Sequence, residues 1–375
     1  MKKTRCASAA VILVLAIAAC DSGGTTSEGR SYEQWGTQTT EDPLGASTTT
    51  IWWGASTTTE VPAPEVGSPE NPIKVLFVPS AEAAIIVTGG ELMAEALNEA
   101  TGLTYDVVVP TDYSATIEEM CASPENTMGF IPGAAYVEAS ALCGVDVAFK
   151  AIRYGWPVYW AQILVARDSD ITSLEDLEGK SWAFPDAGST SGFRVPSLMF
   201  SDAGVTPGEQ VEAGGHTQAV LAVYNGEVDF STSFFSPPLL PDGNWDESMP
   251  PQLADDIIAT CGPDEEGSRL LCGAEGEYRI LDARASARTD APDIMQKVRI
   301  LTISPGIPND TLSFGPEFPA DVRATIEAAL LTFSKTEAWE LSIGNQDFYA
   351  WSGIAVATDN EYDGLRAIEA LLADQ

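Results

Sequence analysis

The chain has 375 residues, and 55 acidic residues against 19 Lys and Arg give it a formal net charge of −36 at pH 7. So large a negative charge excludes nucleic acid and anionic lipid headgroups as expected partners, because both require a basic surface. It does not exclude a small anion in a closed cleft, since local donors outweigh a field that salt screens over about 8 to 10 Å.

The N-terminus has the residue order of an export signal. Three basic residues within the first five precede an apolar run over residues 9–19, which is too short to span a bilayer. The run ends in Ile-Ala-Ala before Cys20, the spacing at which bacterial lipoproteins receive diacylglycerol. We predict a signal peptide over residues 1–19 and a lipid anchor on Cys20. The anchor would hold the protein on the outer face of the cytoplasmic membrane, periplasmic or cell-surface, as its only membrane contact.

Residues 20–72 have the composition of a tether. They are rich in Thr, Ser, Gly, Glu and Pro, and Gly-Ala-Ser-Thr-Thr-Thr occurs twice, at 45–50 and 54–59. Such a segment buries too little apolar surface to offset the entropy of ordering it. We therefore predict a disordered tether.

Roughly 300 residues follow the tether, enough for two lobes that each have a hydrophobic core. Strand and helix patterns alternate at first, which is typical of a parallel sheet covered by helices. The predicted strands are 73–79, 105–109, 128–131 and 147–152, and the predicted helices between them are 83–100, 114–121 and 134–142.

The chain then crosses between lobes twice. A β-rich stretch at 158–166 leads into the second lobe, and strands predicted at 298–303 and 309–314 return the chain to the first. We predict an α/β fold in which each lobe is a mixed, mostly parallel sheet flanked by helices, with a two-strand hinge between the lobes. Lobe one comprises 73–163 and 304–375, and lobe two comprises 164–303.

The cysteines support export. Cys6 is removed with the signal peptide and Cys20 takes lipid, which leaves an even number that suits two disulfides. Sequential pairing would close two short loops, although the spacing alone does not fix the connectivity. With one histidine and no C-x-x-C pair, we predict no metal site and no cofactor. The four cysteines are Cys121, Cys143, Cys261 and Cys272.

A glycine- and hydroxyl-rich segment at 184–196 joins a predicted buried strand to a helix. Its Ser189, Thr190 and Ser191 can rotate to donate hydrogen bonds, and the turn offers free backbone N–H groups at the positive end of a helix dipole. These are the requirements of a phosphate-like group. An isolated Ser-Thr-Ser is also typical of an ordinary helix N-cap.

Further motifs follow in order, and together they resemble the phosphate/phosphite/phosphonate-binding family of ABC-transporter substrate-binding proteins, which has the type 2 periplasmic binding protein fold. The resemblance covers roughly 73–372 and is interrupted by an acidic, proline-rich insertion at about 237–290. The motifs are Leu-Glu-Asp-Leu-Glu-Gly-Lys at 174–180, Ser-Thr-Ser-Gly at 189–192, Gly-His at 215–216, Gly-Glu-Val-Asp at 226–229 and Ile-Pro-Asn at 307–309.

The resemblance implies a ligand site between the lobes. Ser189, Thr190, Ser191 and His216 would surround the oxyanion, and Tyr159 matches the family's aromatic position before the crossover. From lobe one, Ser80, Ala135 and Tyr136 would face the cleft.

The resemblance also implies a monomer that binds and releases its ligand for an ABC permease and is not an enzyme. No acidic residue matches the group that some relatives use for an ammonium, because the polar run 231–236 occupies that region. Phosphite, phosphate or a simple phosphonate is therefore favoured.

Two other functions fit parts of the pattern. One is binding of a sulfonate or another organic anion. The other is a lipid-anchored serine hydrolase with Ser189 or Ser191, His216 and Asp229 as a triad. The G-x-S-x-G nucleophile motif argues against the hydrolase, because it requires serine where Thr190 stands.

Overall fold

The computed structural model describes residues 34–41, 47–54 and 63–373, with the side chains of residues 63–372. They fall into two units, Met1–Ala63 and Pro64–Gln375. In the first unit, β1 (Gln34–Glu41) and β2 (Ser47–Gly54) form an antiparallel pair. The prediction of a wholly disordered tether is wrong for these strands, whose threonines are β-branched and favour extended backbone. The predicted signal peptide and Cys20 lie outside the described residues.

The second unit begins with a folded turn before the first predicted strand. The Gly67 N–H donates to the Asn71 carbonyl at 2.8 Å, and the Thr104 N–H donates to the Gly67 carbonyl at 2.7 Å. Lobe one therefore starts earlier than residue 73. Its first part consists of β3 (Ile73–Phe77), α1 (Ala83–Thr101), β4 (Tyr105–Val108), α2 (Tyr113–Ala122), β5 (Thr127–Ile131), α3 (Gly133–Cys143) and β6 (Asp146–Ile152).

Local signals set the ends of these helices. Helix α1 ends where Gly102 takes a left-handed φ of 74°, and the Asp112 carboxylate caps α2 by accepting the Ala115 N–H at 2.7 Å. The three helices correspond to the predicted ones.

Lobe two opens with a long buried strand and carries most of the short elements. They are β7 (Val158–Ala166), β8 (Trp182–Phe184), one π-helical turn (Thr190–Arg194), α4 (Val195–Asp202), β9 (Gln210–Glu212), α5 (His216–Tyr224), β10 (Phe230–Phe235), α6 (Asp255–Ile258), β11 (Gly262–Pro263), β12 (Leu270–Cys272), β13 (Tyr278–Ile280), a 3-10 turn (Ala283–Ala287), α7 (Ile294–Lys297), β14 (Val298–Ile303) and β15 (Ile307–Pro308).

The chain then returns to lobe one. The returning elements are β16 (Thr311–Phe314), α8 (Ala320–Phe333), α9 (Glu337–Leu341), β17 (Gly353–Val356), a 3-10 turn (Asp359–Tyr362) and α10 (Asp363–Ala373).

Each lobe is built on one mixed sheet. The order in lobe one is β17-β6-β16-β5-β3-β4, and the order in lobe two is β14-β7-β10-β8-β9, with β15 paired to the start of β7. In lobe one, β3 to β6 run in one direction and β16 runs against both of its neighbours. Helices flank both sheets, so the predicted two-lobed α/β fold is confirmed.

The limit between the lobes differs from the predicted one. Strand β7 lies entirely in the second sheet, so the break predicted at 163/164 would cut a continuous strand. Strand β15 also pairs with β7, which moves the second crossing beyond residue 304. The crossings are therefore the short connections at 153–157 and 309–310. Buried Asn309 joins them, because its side-chain amide donates to the Ala151 and Trp156 carbonyls at 3.0 and 2.9 Å.

The insertion at 237–290 is folded into lobe two. Strands β11, β12 and β13 form a small antiparallel sheet, and Trp245, Ile258 and Ile280 belong to the buried core of this lobe. Both disulfides have the sequential pairing, Cys121 with Cys143 and Cys261 with Cys272. The second one closes the loop between α6 and β12. Across the described residues, no helix is long and apolar enough to cross a membrane.

Candidate functional site

A cavity of about 360 Å³ lies between the lobes, beside the two crossings. Lobe one contributes the turn after β3 and the segment 346–350. Lobe two contributes the turn after β8, the start of α5 and part of the insertion. The lining residues at its hydroxyl-rich end are Ser80, Tyr113, Tyr159, Ser189, Ser191 and His216.

The turn after β8 presents two hydroxyls to this cavity. Ser189 and Ser191 line it and are each 2% exposed. The Ser189 side chain also accepts the Gly192 N–H at 3.1 Å, so it caps the π-helical turn while facing the site. A Cβ on Gly192 would lie 2.2 Å from Pro185 Cγ, which explains why the turn needs glycine there.

Thr190 does not line the cavity, contrary to its predicted place beside the two serines. It is fully buried, and its Oγ1 accepts the Ala134 N–H at 2.9 Å at the start of α3. This hydrogen bond joins lobe two to lobe one. The middle hydroxyl of the motif therefore faces the opposite lobe.

His216 is the first residue of α5 and is 7% exposed. Its Nδ1 lies 2.8 Å from Ser233 Oγ, and its ring meets Phe234 edge-on at 5.0 Å between centroids. Burial, with a smaller contribution from the charge of Arg153, lowers the pKa of His216 to about 3. The imidazole is neutral near pH 7 and offers one donor and one acceptor.

Tyrosines complete this end of the cavity. Tyr159 lies on β7, and its hydroxyl is hydrogen-bonded to the side chains of Ser191 and Thr190; burial raises its pKa above the usual range. The Tyr349 hydroxyl donates to the Val78 carbonyl at 2.9 Å and is hydrogen-bonded to Ser80. These tyrosines remain protonated at neutral pH and can act as donors.

Ala135 and Tyr136, predicted to face the cleft, are not among the residues that line the cavity. The Tyr136 hydroxyl donates to the Asp359 carboxylate at 2.5 Å, and its ring packs on Tyr362 at 5.0 Å. Tyr136 therefore points towards the C-terminal elements. At the start of α3, the backbone contact with lobe two is made by Ala134, one position before Ala135.

The motifs gave no indication of the charged pairs at the cavity. Arg153 lines it and pairs with Asp310 at 2.5 Å, while its Nε donates to the Tyr349 carbonyl at 3.0 Å. Arg288, from the insertion, forms a bidentate pair with Asp347 of lobe one, both contacts being 2.9 Å. Each arginine is neutralised by its own carboxylate, so neutral donors dominate the hydroxyl-rich end.

A serine-hydrolase triad is not assembled. The Asp229 carboxylate accepts hydrogen bonds from the Ser181 N–H at 2.9 Å and the Ser181 hydroxyl at 2.7 Å. Nδ1 of His216 is hydrogen-bonded to Ser233 Oγ. Neither Ser189 nor Ser191 has the orienting pair that a nucleophile needs.

Solved structures of periplasmic binding proteins have the same fold. A binding protein component of an ABC phosphonate transporter from Pseudomonas aeruginosa matches with a TM-score of 0.60 at 17% identity, covering 80% of this chain and 85% of the other. PhnD1 from Prochlorococcus marinus, in complex with methylphosphonate, matches with a TM-score of 0.59 at 13% identity, covering 81% and 98%. The chain thus has the two-lobed fold of these periplasmic binding proteins.

The family is given by the sequence comparison. The family described as ABC transporter, phosphonate, periplasmic substrate-binding protein matches residues 75–362, and the chain belongs to it. The phosphate-import protein PhnD of Mycolicibacterium smegmatis is 30% identical over 182 residues, 45% of this chain and 56% of that protein. The phosphonates-binding periplasmic protein of Escherichia coli is 38% identical over 87 residues, 21% and 25%. The chain thus spans about half the length of the first relative and a quarter of the second.

Proposed function

We propose that this protein is the extracytoplasmic binding component of an ABC importer. It captures phosphite, phosphate or a small phosphonate in the interlobe cavity and delivers it to a permease, without making or breaking a bond. The observation that carries the proposal is the convergence of Ser189, Ser191, Tyr159 and His216 on one end of that cavity. The names of the relatives support the ligand class, since one is a phosphate-import protein and the other a phosphonates-binding protein.

Neutral donors suit a small oxyanion in this acidic protein. A hydrogen bond to a charged group contributes about 1.5 to 3 kcal/mol, so a few of them can offset the desolvation of the anion. When the Ser233 hydroxyl donates to Nδ1 of the neutral His216 ring, Nε2 carries the proton and is the one donor that the ring offers to a ligand. The N-terminus of α5 adds its backbone N–H groups and dipole.

Calorimetric titration tests the ligand class. We would titrate the unlipidated chain carrying Cys20→Ser with phosphite, phosphate, methylphosphonate and taurine. We expect binding of at least one phosphorus ligand and none of taurine. Tight binding of taurine alone would support the sulfonate alternative and contradict the proposal.

The lipid anchor at Cys20 is a part of the proposal that can be tested separately. In cells expressing the full chain, we expect metabolic labelling with a fatty acid and recovery in the membrane fraction. Cys20→Ser should abolish the label, because the diacylglycerol is attached through the cysteine sulfur. Labelling that survives the substitution would exclude Cys20 as the anchor.

The buried histidine predicts a pH dependence of stability. The pKa of His216 is about 3 in the folded protein against 6.5 as the ordinary value. Between these values the unfolded chain binds a proton that the folded chain does not. The free energy of unfolding should therefore fall as the pH decreases from 6.5, by at most about 1.4 kcal/mol per pH unit from this group.

Urea unfolding at several pH values would check this dependence. We expect the unfolding free energy of His216→Gln to decrease less steeply between pH 6.5 and 4.5 than that of the wild type. Carboxylates contribute equally to both proteins, so the difference isolates the histidine. Parallel curves would show that His216 is protonated in the folded state at these pH values.

A further inference from the structure

The interlobe cavity extends well beyond the hydroxyl-rich end. Its volume of about 360 Å³ falls in the range of roughly 300 to 1,000 Å³ that is typical of pockets for organic ligands. One tetrahedral ion in contact with Ser189, Ser191 and His216 would occupy only part of it. The remaining space is lined by the insertion and by the first crossing.

The insertion forms a rigid wall of this space. Ser286, within a 3-10 turn (Ala283–Ala287), and Thr289, two residues after the turn, line the cavity. The Asp282 carboxylate caps the turn and holds the buried Arg284 guanidinium through two contacts of 3.0 and 2.8 Å. Because both members of this ion pair are almost fully buried, the wall is fixed to the core of lobe two.

Tyr154, at the first crossing, faces the same space. It lines the cavity, and its hydroxyl is buried with no hydrogen-bond partner among the residues that the structure describes. Its backbone has a φ of 52°, in the left-handed region that a tyrosine rarely adopts, and Gly155 follows with a φ of 86°. Strained non-glycine residues of this kind concentrate at ligand-binding sites. A buried hydroxyl without a partner favours a ligand group that can pair with it.

The two arginines that line the cavity are already paired. Arg288 is bound to Asp347, and Arg153 is bound to Asp310. Asp290 also lines the cavity, but it is exposed. The hydroxyls that remain for a ligand, on Tyr154, Ser286 and the exposed Thr289, are neutral, which favours a hydroxyl over an ammonium or a second anion.

We propose that Tyr154, Ser286 and Thr289 form a second subsite that binds a hydroxyl on the substituent of an organic phosphonate or phosphate monoester. This inference rests on the proposed function, because it requires the phosphorus group at the hydroxyl-rich end. The insertion would then determine which substituents the cavity accepts.

Four ligands test the subsite by calorimetry on the unlipidated chain. Methylphosphonate measures the binding of the phosphorus group alone. 2-Hydroxyethylphosphonate, n-propylphosphonate and 2-aminoethylphosphonate have the same length and differ only in a terminal hydroxyl, methyl or ammonium. We expect the wild type to bind 2-hydroxyethylphosphonate most tightly of the four. Tighter binding of the propyl or aminoethyl ligand would overturn the neutral polar subsite.

Substitutions localise the effect. Tyr154→Phe should weaken the affinity for 2-hydroxyethylphosphonate by about fivefold, because one neutral hydrogen bond is lost. It should change the affinity for methylphosphonate by less than about twofold. Ser286→Trp should fill the space and exclude the three longer ligands while methylphosphonate still binds. Tyr278→Phe, which removes a tyrosine hydroxyl from the insertion outside the cavity, should change none.

The outcomes separate this inference from the proposed function. If no phosphorus ligand binds the wild type, the proposed function fails and the subsite falls with it. If methylphosphonate binds but Tyr154→Phe affects all ligands equally or none, only the second subsite is overturned.

Discussion

Replacing Ser189 and Ser191 together by alanine should weaken the binding of a phosphorus oxyanion by at least a hundredfold. Both hydroxyls line the cavity and are almost fully buried, so the bonds they donate to a charged ligand are made away from water. At about 1.5 to 3 kcal/mol for each bond, losing two of them removes roughly 3 to 6 kcal/mol of binding free energy. Calorimetric titration of the double variant and the wild type measures the difference.

Two control variants make this result specific. Ser197→Ala removes a hydroxyl from α4 outside the cavity and should leave the affinity unchanged. Thr190→Val removes the acceptor of the Ala134 N–H but no hydroxyl that lines the cavity. It should weaken the binding of every ligand by the same factor, which is smaller than the factor for the double variant. A double variant that binds phosphite and methylphosphonate as tightly as the wild type would place the anion elsewhere.

Local sequence patterns predicted the elements of the fold better than the contacts between them. The helices α1 to α3 follow from apolar periodicity and from signals such as Gly102 at the end of α1. The buried turn at Ser189 and the start of α5 at His216 were predicted because each combines a strand end, a helix start and a family motif.

The missed features depend on residues that are far apart in the chain. The role of Thr190 is set by Ala134 in the other lobe, and the orientation of Tyr136 is set by Asp359. Arg194 lies 3.6 Å from Glu138 and 3.3 Å from Glu369 across the lobes. Neither hydrophobic periodicity nor a short motif encodes such pairs, because the two partners lie in segments that are far apart in the chain.

The contact between the insertion and lobe one leads to the second large prediction. We call Arg279, Arg288, Gln346 and Asp347 the interlobe clamp. Arg288 holds Asp347 through two bonds of 2.9 Å, and Arg279 donates to the Gln346 side chain. Arg288 also donates to the Gly267 and Ala285 carbonyls, so its guanidinium is already positioned within lobe two.

The interlobe clamp exists only when the lobes are close together, because its members belong to different lobes. An interaction that is present only in the closed form shifts the equilibrium between open and closed forms towards the closed one. Because the ligand binds the closed form, its apparent affinity rises by the same free energy. The bidentate geometry and the burial of Arg288, which is 6% exposed at its side chain, make the pair stronger than an exposed one. Because Asp347 is 40% exposed, the pair contributes less free energy than a fully buried pair would.

Arg288→Met with Asp347→Asn removes the pair without leaving an unpaired charge at the cavity. We expect this double variant to bind every ligand at least about tenfold more weakly, with the loss mainly in a faster dissociation rate. The factor should be the same for phosphite, methylphosphonate and larger phosphonates, because closure is common to all of them. This uniformity distinguishes the interlobe clamp from the subsite at Tyr154, whose loss depends on the ligand.

Stopped-flow kinetics and small-angle scattering would check the interlobe clamp together. The ligand-free double variant should have a larger radius of gyration than the wild type if the pair holds the lobes closed without ligand. Arg323→Met with Asp146→Asn, which removes an ion pair within lobe one, is the matched control and should change neither property. Unchanged dissociation rates in the clamp variant would mean that the other interlobe contacts, at Thr190 and Arg194, suffice for closure.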